Sequence, residues 1–332
     1  MKQLLKKTIG IILSATLLTG MAFSLSGCND QPENPQPSQT VTAEAEKSYT
    51  VIEFPLTRNG IALHLDRTTA DGTKSRKNIL LTHGVTYSSH EFDVDYKDYS
   101  LARRLADEGY AVWKLDIAGF GQSGEVEDGY MPDSDYAAED INAAVEKIVS
   151  ESGQDKIDIL GWSWGTVTAS RYASKYMDHL NRLVLYAPIL SGIGNYEVTG
   201  DFHHNTWEHA ADDFQRDSDG NFDYSITERE MIEMFCSNCW HYDDEYSPNG
   251  GRRDICVDKS EKLINLSKIT VPTLVICGGS DLYLNYDLVN SALDQLSEGS
   301  ELEVIEGGAH VIMYEKPYYK EFQSKLTAFL NK

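Results

Sequence analysis

Short apolar segments alternate with helix-like segments along most of this chain, and this alternation limits the possible folds most strongly. The strand candidates are residues 49–54, 61–65, 78–82, 111–116, 156–161, 182–187, 273–277 and 301–306. The helix candidates are residues 100–108, 136–150, 165–176, 286–296 and 317–330. Strands that alternate with helices predict a mostly parallel eight-stranded sheet with helices on both faces. No helix candidate separates the first two strands, so we expect an antiparallel pairing at that edge.

The alternation stops at residues 190–267, which contain many aromatic side chains and no clear strand pattern. A structureless loop of that length is unusual in a compact domain, so we expect a mainly helical cap inserted over the sheet. The predicted core is then residues 49–189 and 268–332. Aromatic residues of the cap, among them Trp207, Phe235 and Trp240, are candidates for lining an apolar pocket beside Trp162.

The N-terminal segment has the features of an export signal rather than of a folded element. Lys2, Lys6 and Lys7 precede an apolar run and small residues, a pattern typical of a cleaved secretory signal. The letters LSGC that end at Cys28 resemble the bacterial lipoprotein cleavage box. That resemblance implies a lipoprotein signal peptide at residues 1–27, lipidation of Cys28, and a protein anchored to the cell membrane on its extracytoplasmic side. An ordinary cleaved signal is the alternative.

Residues 28–48 are rich in Pro, Gln and Glu, so they cannot bury enough apolar surface to fold and are predicted to form a disordered tether. The whole chain carries 29 Lys and Arg against 52 Asp and Glu, a formal net charge of −23. Nucleic-acid binding needs clustered cations that neutralise phosphates. The charge therefore argues against a nucleic-acid partner.

The letters GWSWG, residues 161–165, place Ser163 between two glycines at the end of a strand candidate and the start of a helix candidate. The pattern G-x-S-x-G in this context is typical of a sharp turn that exposes a nucleophilic serine at the carboxyl edge of a sheet. A tight structural turn is the alternative interpretation.

A serine hydroxyl needs a base that removes its proton and an acid that orients the base. His310 lies in a glycine-rich loop directly after the last strand candidate, which favours it as the base. Asp281 follows the preceding strand candidate and is the favoured acid, and Asp287 is the second choice. The chain order serine, acid, histidine is the order found in α/β-hydrolases.

Acyl transfer also requires N–H donors for the oxyanion of the tetrahedral intermediate. The backbone N–H of Trp164, directly after the serine, is one candidate. The N–H of Val85, in the loop after the third strand candidate, is the other. His83 precedes Ser163 in the chain and is expected to brace this loop rather than to act as a base.

Several segments together resemble the α/β-hydrolase superfamily over residues 49–332. They are HG at residues 83–84, LDIAGFGQSG at 115–124, GWSWG at 161–165, GGSD at 278–281 and GGAH at 307–310. The second segment is similar to the capped esterase, lysophospholipase and serine-aminopeptidase branch. The resemblance implies an α/β-hydrolase fold and a serine hydrolase without a metal or an organic cofactor.

Carboxylic ester hydrolysis is the favoured activity, on a small-molecule substrate. A serine aminopeptidase or amidase is the alternative, although Val85, Thr86 and Tyr87 depart from the Gly- and Pro-rich continuation common in proline-releasing members. An inactive binding lipoprotein that retains the fold is an alternative of another class. Cys236, Cys239 and Cys256 of the cap leave open a disulfide, free thiols or a metal site.

Overall fold

The computed structural model describes residues 47–243 and 245–332. The strands are β1 (Tyr49–Glu53), β2 (Leu56–Arg58), β3 (Ile61–Leu63), β4 (Leu65–Ala70), β5 (Lys77–Thr82), β6 (Tyr110–Leu115), β7 (Ile157–Trp162), β8 (Leu180–Tyr186), β9 (Phe202–His204), β10 (Tyr246–Pro248), β11 (Thr273–Gly278) and β12 (Glu301–Ile305). The helices are α1 (Leu101–Asp107), α2 (Ser134–Ser152), α3 (Trp164–Lys175), α4 (Trp207–Ala210), α5 (Arg229–Tyr242), α6 (Gly250–Ile255), α7 (Tyr286–Asn290) and α8 (Tyr319–Leu330). The predicted signal peptide, Cys28 and most of the predicted tether lie outside the described residues.

Eight strands form one sheet in the order β1-β4-β6-β5-β7-β8-β11-β12. Strand β4 is antiparallel to both β1 and β6, whereas the other neighbours run parallel. This arrangement confirms the predicted mostly parallel eight-stranded sheet. The edge is antiparallel as expected, but β1 pairs with residues 66–70 and not with the predicted strand at 61–65. Since β5, β7, β8 and β11 are parallel neighbours, their carboxyl ends meet at one edge of the sheet.

Apolar side chains cover both faces of the sheet. One face packs under α1 and α8 through residues such as Leu105 and Phe322. The other face packs under α2 and α3 through residues such as Ile141 and Val167. Each of these side chains is fully buried, and such burial stabilises a fold by about 1.5–3 kcal/mol per large aliphatic or aromatic side chain. The central strands are therefore held rigidly, which fixes the positions of the loops at their carboxyl ends.

Helix α2 shows how the sequence ends an element. Asp133 caps its N-terminus by accepting hydrogen bonds from the N–H groups of Asp135 and Tyr136. Gly153 ends it in the left-handed conformation, with φ of 66°. The predicted apolar face of this helix, at 3- and 4-residue spacing, is the face that is buried.

Two predicted elements differ from the structure. The single strand predicted at 61–65 is divided at His64 into β3 and β4, because β3 pairs with β2 and β4 joins the main sheet. The helix predicted at 286–296 is shorter. Helix α7 ends at Asn290, and a separate 3₁₀ turn follows at Ala292–Asp294.

The segment 190–267, which follows β8 and precedes β11, contains α4, α5 and α6. It also holds a two-stranded antiparallel sheet of β9 and β10, which the sequence pattern had not indicated. These strands are three residues each and carry polar side chains on most positions, so they give no period-two apolar signal.

All four cysteines that the structure describes, Cys236, Cys239, Cys256 and Cys277, are free thiols. A disulfide within the cap, one of the three options left open by the sequence, is thus not formed among the described residues. Residues 47–243 and 245–332 also include no helix that is both long and apolar enough to cross a membrane.

Candidate active site

Ser163 occupies a strained turn between β7 and α3. Its backbone has φ of 56° and ψ of −123°, values that a non-glycine residue adopts only where its surroundings enforce them. The flanking glycines permit this geometry. A Cβ on Gly161 would lie 2.2 Å from the Gly165 carbonyl oxygen, and a Cβ on Gly165 would lie 2.3 Å from that of Thr82. Any larger residue at either glycine would push the helix away from the sheet.

His310 and Asp281 lie together at the same edge of the sheet. The Nδ1 of His310 donates to the Oδ2 of Asp281 at 2.8 Å, and both side chains are buried. The other oxygen of Asp281 accepts the N–H of Tyr283 at 3.0 Å. Burial disfavours the charged form of His310, but the nearby carboxylates, Asp281 foremost and then Asp213 and Glu315, together outweigh it and raise the pKa of the imidazole.

The backbone of His310 is held by two side chains of the sheet. Its carbonyl accepts Nε1 of Trp162 at 3.1 Å and the hydroxyl of Tyr186 at 3.0 Å. Trp162 directly precedes Ser163, so one indole connects the serine turn with the histidine loop. This contact restricts how far the two side chains can move apart.

Ser163 and His310 line one cavity. The serine Oγ makes no hydrogen bond within residues 47–243 and 245–332. The hydrogen bond between a nucleophilic serine and its base is often formed only when substrate binds. Asp287, the second choice for the acid, is exposed in the first turn of α7 and does not contact His310.

The loop after β5 is braced by His83. Nε2 of its ring accepts the N–H of Ile117 at 3.1 Å, and Nδ1 donates to the Gly84 carbonyl at 2.7 Å. Burial lowers the pKa of His83, which keeps the ring neutral for these two roles. Because the peptide between Gly84 and Val85 is planar and trans, the N–H of Val85 points away from the carbonyl that His83 holds.

The N–H of Trp164 is the first of helix α3, so no carbonyl within the helix can accept it. The helix dipole adds partial positive charge at this end. Val85 and Ser163 line the same cavity, and the N–H of Val85 donates to no described residue. The two predicted oxyanion donors therefore lie on the two loops that adjoin Ser163.

The cavity that contains Ser163 has a volume of about 480 Å³. From residues 190–267 it is lined by Ile193, Tyr196, His209, Asp212, Asp213, Arg252, Ile255 and Cys256. Of the aromatic residues of the cap, Tyr196 lines it, but none of the three named candidates, Trp207, Phe235 and Trp240, does. Phe235 packs against Phe214 and Tyr314, and the two tryptophans are about half exposed at the surface.

Four charged residues that line the cavity were missed from the sequence, among them Glu91 and Arg252 beside Asp212 and Asp213. Oε2 of Glu91 accepts the Gly84 N–H at 3.3 Å, and burial raises the pKa of its carboxyl well above the ordinary value. Arg252 lies in α6, close to the loop that carries Val85. Neither position shows a motif that would have distinguished it from a surface charge. In the described part of the chain, no group of His, Cys, Asp and Glu side chains is arranged to hold a metal ion.

The geometry of this site agrees with the family comparison. Residues 73–317 match the model of the serine aminopeptidase S33 family. The chain belongs to this family. It is 26% identical over 276 residues to a proline iminopeptidase of Saccharolobus solfataricus, covering 73% of this chain and 81% of the relative. It is also 28% identical over 220 residues to a putative non-heme chloroperoxidase of Synechocystis sp., covering 63% of this chain and 77% of the relative.

Solved structures share the fold of this S33 protein. A bromoperoxidase from Bacillus anthracis aligns with a TM-score of 0.60 at 20% identity, over 85% of this chain and 100% of that one. A thermophilic esterase from Thermogutta terrifontis aligns with a TM-score of 0.58 at 17% identity, over 85% and 98%. The S33 chain thus has the α/β-hydrolase fold, and its family membership makes it a serine hydrolase.

Proposed function

We propose that this S33 hydrolase cleaves carboxylic esters through an acyl-enzyme formed on Ser163. Ser163 attacks the substrate carbonyl while His310 takes the hydroxyl proton and then gives it to the leaving alcohol. Asp281 keeps the imidazole in the tautomer whose Nε2 can accept the serine proton. It also stabilises the imidazolium that then forms. The N–H groups of Val85 and Trp164 bind the oxyanion. Water then attacks the acyl-enzyme while His310 takes a proton from it. His310 returns that proton to Ser163 as the acid leaves.

The observation that carries this proposal is the 2.8 Å contact between His310 and Asp281 in the cavity that also exposes Ser163. Acyl transfer needs an exposed serine, a histidine with a buried acid on its Nδ1, and backbone N–H donors near the serine. Ile189, Ile193 and Ile255 give the cavity an apolar lining, which suits an acyl or aryl group.

Aminopeptidase activity is the second candidate. The family model and several curated relatives carry aminopeptidase names, and Asp212 and Asp213 bring carboxylates to the cavity that could pair with a substrate amine. The ester is favoured because Asp212 already pairs with Arg216 at 3.7 Å and Asp213 lies near the Tyr283 hydroxyl, whose pKa it raises.

A substrate panel separates the two candidates. The wild-type protein is assayed with acyl 4-nitrophenyl esters of increasing chain length and with aminoacyl 4-nitroanilides, including the prolyl anilide. Ser163→Ala serves as the blank. We expect kcat/KM for the best ester to exceed that for the best anilide by about 100-fold or more, a margin of roughly 2.7 kcal/mol in transition-state binding. A prolyl anilide as the best substrate would replace the ester proposal by the aminopeptidase one.

We also propose that the enzyme is anchored by a lipid on Cys28 and works outside the cytoplasm. The proposal is supported by the basic start, the apolar run and the LSGC letters of the N-terminal segment. Membrane fractions of the producing bacterium should contain a protein whose N-terminal residue is lipidated Cys28, and Cys28→Ser should remove it from the membrane. A mature N-terminus at another residue, found by mass spectrometry, would contradict the anchor.

A further inference from the structure

Arg252 is a buried cation that has no anionic partner among the described residues. Its side chain lines the cavity of Ser163, and the residue is only 9% exposed. Within residues 47–243 and 245–332, no carboxylate lies within 4 Å of its guanidinium. Buried arginines are almost always paired, because taking an uncompensated charge out of water costs several kcal/mol.

The contacts that Arg252 does make are all to neutral groups. Nη2 donates to Oγ1 of Thr86 at 2.7 Å, and Nη1 donates to Oγ of Ser247 at 3.2 Å and to Oδ1 of Asn249 at 3.4 Å. These contacts hold the guanidinium in place without neutralising it. Burial lowers the pKa of Arg252 to about 10, which still leaves it charged at neutral pH.

Helix α6 holds Arg252 rigidly. Gly251 packs so closely on the indole of Trp164 that a Cβ there would lie 2.6 Å from the ring. The next turn is tied to the core because Oδ2 of Asp254 accepts the N–H of Ser134 at 2.8 Å. A guanidinium on such a fixed element loses little freedom when it binds an anion.

Charged groups of both signs line the cavity. Asp213 lies near His310 and Tyr283, where it raises the pKa of both groups. At the Arg252 end, His209 and His203 are joined by a 3.0 Å hydrogen bond. Burial together with the charge of Arg252 lowers the pKa of both rings, and at His209 this outweighs the opposite effect of Asp213 and Asp212. No carboxylate acts on the pKa of Arg252, which burial lowers against small opposing effects of Cys256 and Tyr87. This end therefore holds a fixed positive charge beside neutral imidazoles.

We infer that the substrate carries a carboxylate that binds Arg252 while its ester group lies at Ser163. A single guanidinium with neutral neighbours matches a monoanion, and its planar fork fits a carboxylate in a bidentate contact. This inference rests on the proposed ester hydrolysis, and it narrows the substrate to esters that have a carboxylate in the acyl or the alcohol part.

The test compares esters that match in size and differ in charge. One pair varies the acyl part, the mono-4-nitrophenyl ester of glutaric acid against 4-nitrophenyl 5-methylhexanoate. The other varies the alcohol part, 4-acetoxybenzoate against 4-acetoxybenzamide. For at least one pair we expect Arg252→Gln to lower the anionic-to-neutral ratio of kcat/KM by about 10- to 100-fold, the range of hydrogen bonds to charged groups. Arg252→Lys, which keeps the charge, should lower this ratio by less than Arg252→Gln does.

Arg253→Gln is the matched control, because Arg253 is the next residue, is exposed, and lies against the ring of Tyr130. It should leave the ratio unchanged. Equal ratios in the wild type, Arg252→Gln and Arg253→Gln for both pairs would overturn the inference while leaving ester hydrolysis intact.

A measurement without turnover separates this inference from the proposed function. In Ser163→Ala protein, calorimetry should show 4-acetoxybenzoate binding about 10-fold or more tightly than 4-acetoxybenzamide, and Arg252→Gln should remove the difference. Equal binding of the two compounds would overturn the inference. Absence of any esterase activity in the wild type would instead count against the proposed function.

Discussion

Ser163→Ala and His310→Ala should each lower kcat by about 10³-fold or more and leave the fold intact. Ser163 is the only group of the proposed mechanism that forms a bond with the substrate, and His310 is the group placed to take its proton. Both side chains line the cavity. Because the buried His310 ring also contacts Trp162 and Tyr283, thermal unfolding of His310→Ala is measured beside its kcat. The double variant should be hardly worse than either single one, because residues that act as a unit are not additive.

Two matched controls lie nearby in the chain. Ser174 is on the same helix as the serine turn, and His179 donates to the carbonyl of Asp155, away from the cavity. Their alanine variants should keep kcat within about 3-fold of the wild type, as expected for substitutions remote from the reacting atoms. Turnover like that of the wild type in His310→Ala would exclude His310 as the base.

Asp281→Asn should lower kcat/KM by about 10²–10⁴-fold, less than the loss of the serine. An amide at this position can donate to Nδ1 of His310, which places the imidazole proton on Nε2, where it can no longer accept the serine proton. The fold should be preserved because the side chains have nearly the same shape. Thermal unfolding of the purified variant checks this point.

The same variant should also change the pH profile. His310 must be neutral to act as a base, so the wild-type kcat/KM falls as the pH drops through the raised pKa of His310. In Asp281→Asn the largest raising charge is gone, so burial acts on the imidazole against only the smaller effects of Asp213 and Glu315, and its pKa is lower than in the wild type. The acid limb of the profile should therefore move to lower pH. A limb that stays in place would show that Asp281 does not set the pKa of the base.

The elements around the candidate site could be predicted because their signals are local. The turn at Ser163 follows from two glycines between an apolar strand and a helix, and the structure places the serine there with φ of 56°. Asp281 and His310 were expected together because each follows a strand of the same parallel sheet, and the two are 2.8 Å apart. Chain order and sheet geometry were sufficient for this part of the site.

The edge of the sheet was predicted less well. Asn59 and Gly60, with φ of 51° and 82°, make the tight turn that joins β2 to β3. This dipeptide is a known hairpin signal. The division of residues 61–65 at His64 has no local signal, since it depends on whether each strand pairs with β2 or with the main sheet.

The lining of the cavity could not be predicted from residue type. Phe235 is aromatic like many pocket residues, yet it lies in the apolar core against Phe214 and Tyr314. Arg252 and Arg253 are adjacent and identical in the sequence, but the turn of α6 directs the first into the cavity and leaves the second exposed. Only the packing of α6 against Trp164 distinguishes them.

Covalent labelling of the purified protein by a fluorophosphonate tests the central claim most directly. We expect one equivalent of label, located by mass spectrometry on Ser163. The label should be absent in Ser163→Ala and should form much more slowly in His310→Ala. Label on another residue of a folded protein that hydrolyses esters, or no label at all, would contradict it.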